Sequence, residues 1–357
     1  DESWYTEWWA TADRVRAIGQ SCLAAGHKVS AREAFCRASM YYRSAEFFLH
    51  GDPADPRILE TWHLSRDSFR QAAALMDHPV EAVKIPYEDT FLPGYVMRPD
   101  DSLAPRKTLI VQTGFDGTGE ELYFEVGFFA LARGYNVLIF EGPGQGGPLR
   151  AQHLYFRPDW EKVITPVVDF ALSRPEFDPK RLAILGISMG GYMVVRGAAF
   201  ERRLTAVVAN PGSYDLLEGR GHGQKEREVE GIRKHPEEAN KALRQKMKTD
   251  AGLRWAMNNG MFTFGKSEPT GFILALAGYG LKDTAPLVRC PTLVIQSQDE
   301  QAYPGQAKQL YQALTCPKTL MPFTRKDMAS WHCQMGALAI SNQRIFDWLD
   351  KTLAGGR

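Results

Sequence analysis

The sequence has almost no net charge: 43 Lys and Arg stand against 42 Asp and Glu, a formal balance of +1. A chain so balanced has no long-range attraction for a polyphosphate or an anionic lipid surface, and no long basic run supplies a local one. Neither a nucleic-acid nor a membrane partner is expected. Cysteine is sparse, with Cys22, Cys36, Cys290, Cys316 and Cys333 and no CxxC pair. An odd, scattered set makes neither a zinc site nor a disulfide framework, so free, buried thiols in a reducing compartment are expected. No apolar run is long enough to span a bilayer, and no secretory segment opens the chain. A cytoplasmic location is the expectation, with the reservation that a chain beginning at Asp1 can lack its native N-terminus and a targeting segment with it.

What is present is an ordinary globular composition, 357 residues with 44% hydrophobic and 24% charged. The length fits one large domain with an elaboration, or two domains. Apolar spacing predicts helices over 4–23 and 30–49, the second stopped by Gly51-Asp52-Pro53, and a third from Asp55-Pro56 to about Met76. From Pro79 the period changes. Residues 80–85 and 91–97 alternate around Glu88-Asp89 and predict an antiparallel hairpin. Short apolar strands then alternate with helices: strands over 108–112, 136–140, 182–187 and 206–209, helices over 120–132, 160–173 and 189–200. Near-continuous apolar strands between helices indicate a parallel sheet covered on both faces. The alternation stops over 212–281, which is mostly polar and helix-like. It resumes with strands over 292–296 and 318–321 and helices over 307–314 and 343–353. An excursion of roughly 70 residues is far longer than an ordinary connection. The expected organisation is α/β: an N-terminal helical cap region over 1–78, a core over 79–211 and 286–357, and an inserted helical lid over 212–285. Structural decoration is the alternative for the insertion.

The chemistry is carried by Gly186-Ile187-Ser188-Met189-Gly190. A serine hydroxyl is a weak nucleophile at neutral pH; it needs a base, and the base needs an orienter. The Gly-x-Ser-x-Gly elbow lifts the serine clear of the sheet on a strained strand-to-helix turn. Here an apolar strand runs into Ser188 and Gly190-Gly191 opens a helix, the context that makes a common pattern specific. This marks an α/β-hydrolase fold, in which the acid and then the histidine follow the serine. The strand over 292–296 leads into Ser297-Gln298-Asp299-Glu300. Asp299 is the expected acid and Glu300 its competitor. His332, the only histidine after residue 235, follows the last strand. Asp299 would hold the His332 tautomer, and His332 would take the Ser188 proton and deliver it to the leaving group. An oxyanion hole needs two fixed N–H donors. Met189 supplies one, and Phe115 in Thr113-Gly114-Phe115-Asp116-Gly117 the other, a neighbouring residue of that loop being the alternative. No metal or organic cofactor is implied.

Two further features are set aside. Gly142, Gly144 and Gly147 match GxGxxG after a strand. A dinucleotide site would open a helix at once; Pro148 intervenes and no helix is expected there, so a tight loop at the sheet edge near the active site is the expectation. Cys333 adjoins His332, but chain neighbours rarely point at each other, which argues against a Cys/His pair.

Four stretches resemble a subgroup of α/β-hydrolases that includes the 2,6-dihydroxypseudooxynicotine hydrolase and the fungal pigment-pathway hydrolases of the yellowish-green type. They are Tyr41-Tyr42-Arg43-Ser44-Ala45-Glu46-Phe47-Phe48, Gly114-Phe115-Asp116-Gly117-Thr118-Gly119-Glu120-Glu121, the elbow, and His332-Cys333-Gln334-Met335-Gly336-Ala337. The likeness covers nearly the whole chain from about residue 30 and is strongest toward the fungal group, through Asn342-Gln343-Arg344-Ile345-Phe346-Asp347-Trp348-Leu349. It implies hydrolysis of a C–C bond next to a ketone in a polyketide-like or acyl-aromatic small molecule, a lid, and a homodimer in many members. Ester or lactone hydrolysis and acyl transfer or cyclisation use the same triad and remain the alternatives. The resemblance also implies an extra acidic residue, for which Asp215 and Glu218 are candidates against a plain surface role. Tyr41 is a candidate for the pocket among aromatics that helical spacing otherwise places in the core.

Overall fold

The computed structural model describes residues 1–218 and 225–354. Its centre is an eight-stranded sheet: β1 (Val80–Tyr87), β2 (Thr90–Met97), β3 (Arg106–Gln112), β4 (Asn136–Phe140), β5 (Phe177–Ile187), β6 (Ala206–Asn210), β7 (Thr292–Ser297) and β8 (Lys318–Phe323). The spatial order is β1-β2-β4-β3-β5-β6-β7-β8. β1 pairs with β2 and β2 with β4 antiparallel; the other neighbours are parallel. The apolar strand runs explain this arrangement, because successive side chains feed two separate cores. Ile110, Ile184, Val207 and Val294 face one; Val111, Leu185, Val208 and Ile295 face the other. Helices Glu161–Leu172, Gly190–Ala198 and Gln306–Ala313 cover the first face, and Leu338–Ala354 the second. Each such aliphatic side chain withdrawn from water contributes about 1.5–3 kcal/mol.

Three elements depart from the sequence reading. A helix does start in the glycine-rich loop, at Gly146–Gln152; Pro148 lies in its first turn, where a backbone N–H has no intrahelical partner to lose. The helix expected over 120–132 carries a wider π turn at Tyr123–Gly127 between Gly119–Leu122 and Phe128–Leu131. The helix expected over 30–49 ends at Ala45 and tightens to a 3-10 turn over Glu46–Gly51.

N-terminal helices Glu2–Ala24, Lys28–Ala45 and Pro56–Ala73 form a layer of their own, the last capped by the Asp55 carboxylate on the Arg57 N–H. Ion pairs, one buried and one partly buried, fasten this layer to the sheet domain. Glu46 pairs with Arg150 (Nε to Oε2, 3.0 Å) and Arg43 with Glu121 (3.0 Å). Burial alone would raise the Glu46 carboxyl, yet Arg150 and His50 hold it below the usual carboxylate range.

Between β6 and β7 the chain makes helices Lys225–Lys234, Pro236–Met247, Ala251–Phe264 and Pro269–Leu276. The two ends of this excursion meet. Asp215 and Gly280 form an isolated antiparallel bridge, with Leu216 N donating to Tyr279 O (3.0 Å) and Leu281 N to Tyr214 O (2.9 Å). No described helix is long and apolar enough to cross a membrane.

Candidate active site

β5 ends at Ile187, and Ser188 follows with φ +57, a left-handed conformation that costs a side-chain-bearing residue energy. The turn holds because nothing larger than glycine fits beneath it: a Cβ on Gly186 would lie 2.0 Å from Gly190 O. Ser188 N donates to Asn210 O on β6 (2.7 Å). The hydroxyl thus stands clear of the sheet, 2.9 Å from His332 Nε2.

The carboxylate facing His332 belongs to Glu300. His332 Nδ1 lies 2.8 Å and 2.9 Å from the two Glu300 oxygens. The Glu300 side chain is 7% exposed, and Oε1 also accepts from Ala302 N (2.9 Å) and Tyr303 N (3.2 Å). Asp299, the acid expected from sequence, points the other way and forms a two-pronged pair with the exposed Arg325 (2.8 and 2.7 Å). The backbone decides this. Asp299 N donates to Ser330 O (2.8 Å), which places Asp299 outward and its successor inward. Arg325 holds the Asp299 carboxyl below its ordinary value.

His332 is carried on a loop in which Cys333 and Gln334 both have positive φ. Gln334 fixes this loop: it accepts from Asn210 Nδ2 (3.0 Å) and Ser341 Oγ (2.7 Å) and donates to Ser297 Oγ (2.9 Å). The Cys333 thiol is buried and donates toward Asn210 O (3.5 Å); burial pushes it well above its usual range, so it stays protonated.

Ser188 and His332 open onto a cavity of about 530 Å³. Its roof comes from the excursion between β6 and β7, through Leu243, Leu253, Trp255, Met257, Phe272 and Ile273. Phe115 and Met189 both line it, and a Cβ on Gly114 would fall 2.7 Å from Met189 N, so the loop after β3 lies directly against the elbow. The Phe115 ring stacks on Phe272 (5.8 Å) and meets Trp255 edge-on (6.0 Å).

Four further carboxyls line the cavity: Asp116, Glu121 and Glu125 from the loop and helix after β3, and Glu228 from the helix Lys225–Lys234. Glu121 is well supplied, accepting from Thr118 N (2.6 Å), Thr118 Oγ (3.1 Å) and Arg43. Asp116 and Glu125 keep accessible surface, but toward the cavity rather than the outside. Burial pushes both carboxyls up, Glu125 to about 8, where the charges of Glu121 and Asp116 add to the effect and Arg43 opposes it.

The other sequence candidates stand apart from the cavity. Tyr41 is turned by its helix against Trp8 (5.3 Å) in the N-terminal layer. Asp215 closes a turn, accepting from Leu217 N (3.0 Å) and Glu218 N (3.1 Å), and pairs with Lys225. Glu218 contributes its backbone to that turn and does not reach the cavity. Sequence reasoning missed Asp116, Glu125 and the buried amides Gln145, Asn259 and Gln334; buried side-chain amides among glycines and apolar residues are the one signal that could have flagged the last three. Among the described residues no cluster of His, Cys, Asp or Glu could hold a metal ion.

Residues 113–341 match the model of the alpha/beta hydrolase family. Two fungal proteins are similar over nearly the full chain. Hydrolase LUC6 of a Fusarium species is 34% identical, covering 98% of this chain and 88% of its own. The 20-hydroxy-prefusarin hydrolase FUS2 of Gibberella moniliformis is 34% identical, covering 99% and 88%. Among solved structures, the 2,6-dihydroxy-pseudo-oxynicotine hydrolase superposes with a TM-score of 0.78 at 22% identity, over 99% of this chain and 90% of that one.

Proposed function

We propose, from the premise that this chain belongs to the alpha/beta hydrolase family, that it is a serine hydrolase cleaving a C–C bond beside a ketone in a polyketide-like or acyl-aromatic small molecule of secondary metabolism. The observation that carries the reading is the unbroken chain Ser188–His332–Glu300 at the floor of a largely apolar cavity. Ser188 is the nucleophile, His332 the base and Glu300 the orienter that keeps Nδ1 protonated. His332 takes the hydroxyl proton as Ser188 Oγ adds to the ketone carbon. The resulting oxyanion is met by the Phe115 and Met189 N–H groups. Collapse breaks the C–C bond, and the departing enolate carbon takes the proton from His332. Water, activated by the same imidazole, then releases the acyl group as a carboxylic acid. The helices between β6 and β7 act as the lid that keeps bulk water from the enolate. Relatives that are fungal hydrolases, one of them named for 20-hydroxy-prefusarin, support the substrate class.

The test is to incubate the protein and Ser188→Ala with acyl-naphthopyrones, aryl β-diketones and matched aryl esters, following products by mass spectrometry. Diketone cleavage by the wild type, reduced at least ~10⁴-fold in the variant, is the expected result. Cleavage of the esters alone would replace this reading by ester or lactone hydrolysis.

A further inference from the structure

The residues that would stabilise the oxyanion are backbone groups, so their aim depends on whatever fixes their peptide planes. A peptide is planar and trans, with its C=O and N–H pointing in opposite directions. The N–H of Phe115 therefore shares a rigid plane with the carbonyl of Gly114. That carbonyl accepts from Gln145 Nε2 at 3.0 Å. The same nitrogen donates its second hydrogen to Thr113 O at 2.8 Å, and Gln145 Oε1 accepts from Gly142 N at 2.9 Å. Reversing the amide would set its oxygen against two carbonyls and its NH₂ against an N–H, so this network admits one orientation. Gln145 is 2% exposed, which shields these bonds from competition by bulk solvent.

The next planes are braced in the same way from other elements. Phe115 O accepts from Asn259 Nδ2 (3.2 Å), whose Oδ1 pairs with His50 Nδ1 (2.8 Å). Asp116 O accepts from the Arg43 guanidinium. Glu141 ties the two loops together, accepting from Gly119 N (2.7 Å) and Gly147 N (2.8 Å). Of these braces, Gln145 alone acts on the plane that contains the Phe115 N–H.

We propose that Gln145 is the positioning residue of the oxyanion hole, its side-chain amide holding the Gly114 carbonyl so that the Phe115 N–H is aimed at the reacting oxygen. This rests on the assignment of Ser188 as nucleophile and Phe115 as donor. The glycine-rich turn after β4 then has a role in the chemistry, because it presents one buried glutamine to the back of the loop that faces the substrate.

Gln145→Met keeps the volume and removes the donors. The expected result is a kcat lowered roughly 100-fold, the scale of losing one oxyanion donor, with KM within about threefold. Fold integrity alone would not produce the second expected readout. In the acyl-enzyme formed from isotope-labelled p-nitrophenyl acetate, the carbonyl stretch moves to higher wavenumber in the variant, because the hydrogen bond polarising it is weaker. Should Gln145→Met fail to fold, Gln145→Glu serves: its activity relative to wild type rises on acidification, as the protonated carboxyl regains a donor. An unchanged stretch in Gln145→Met, or a relative activity of Gln145→Glu independent of pH, overturns the proposal while leaving Ser188 as nucleophile. Absence of any acyl-enzyme in the wild type overturns both.

Discussion

The two sides of the Ser188–His332 pair both carry carboxyls, Glu300 behind the imidazole and Glu125 on the cavity wall, and their surroundings are opposite. On one side Glu300 is bonded to His332 Nδ1 and to two backbone N–H groups. On the other, Glu125 faces two more carboxyls with Arg43 as the opposing charge, and among the described residues no hydrogen bond offsets its burial. Burial disfavours the charged form of a carboxyl, and donors or cations directed at its oxygens oppose that. The first carboxyl is bonded so as to orient the imidazole through Nδ1, whereas burial and the neighbouring carboxyls push the second up to about 8. Proximity to the nucleophile does not decide what a carboxyl near this site does; the number of donors aimed at it does.

The largest effect is expected on the well-supplied side. Glu300→Gln should lower kcat about 10³–10⁴-fold, the scale of replacing a triad carboxylate by its amide, with little change in the thermal midpoint. Steady-state kinetics beside a melting curve checks both. The other side is tested by stability against pH. Glu125 titrates at about 8 when folded, against an ordinary 4.5. The native state therefore retains a proton the unfolded chain loses, and stability declines as pH rises through that window and levels off above it. Glu125→Gln should remove this decline, with a midpoint equal to wild type near pH 4 and higher by about 5 °C at pH 9. Equal midpoints at pH 9 would mean that the carboxyl is ionised and supplied with donors after all. The smallest effect is expected one residue from the first. Asp299→Asn weakens an exposed pair with Arg325 and a hydrogen bond with Ser330, and should change kcat less than about threefold. A loss as large as that of Glu300→Gln would exchange the two roles.

The contrast between Asp299 and Glu300 also shows where sequence stops being informative. The elbow is legible because its requirements are local: a strand, glycines at fixed offsets and a helix lie within a dozen residues of Ser188. His332 is legible by its place after the last strand. Which of two adjacent acids turns inward depends on a hydrogen bond to Ser330, about 30 residues away, and no local pattern encodes it. The same holds for Asp116 and Glu125. Glu125 lies within a π turn, whose wider spacing departs from the 3.6-residue period of a regular helix, so helical spacing in the sequence does not say which way its carboxyl faces. The parallel sheet and the antiparallel hairpin at its edge were legible for the opposite reason: their period-2 alternation and apolar runs extend over whole strands.

The bridge between Asp215 and Gly280 has a consequence for how such a protein can change over time. Because the chain leaves the sheet and returns to it at adjoining points, the intervening helices share one base, and Asn259 to Phe115 O and Phe156 N to Thr263 O tie them to the core a second time. The stretches away from those ties can be lengthened or shortened without moving Ser188, Glu300 or His332, since closing a longer loop adds only a slowly growing entropy cost. Apart from Asn259 and Thr263, the substrate-facing roof and the reaction machinery are thus free to evolve at different rates.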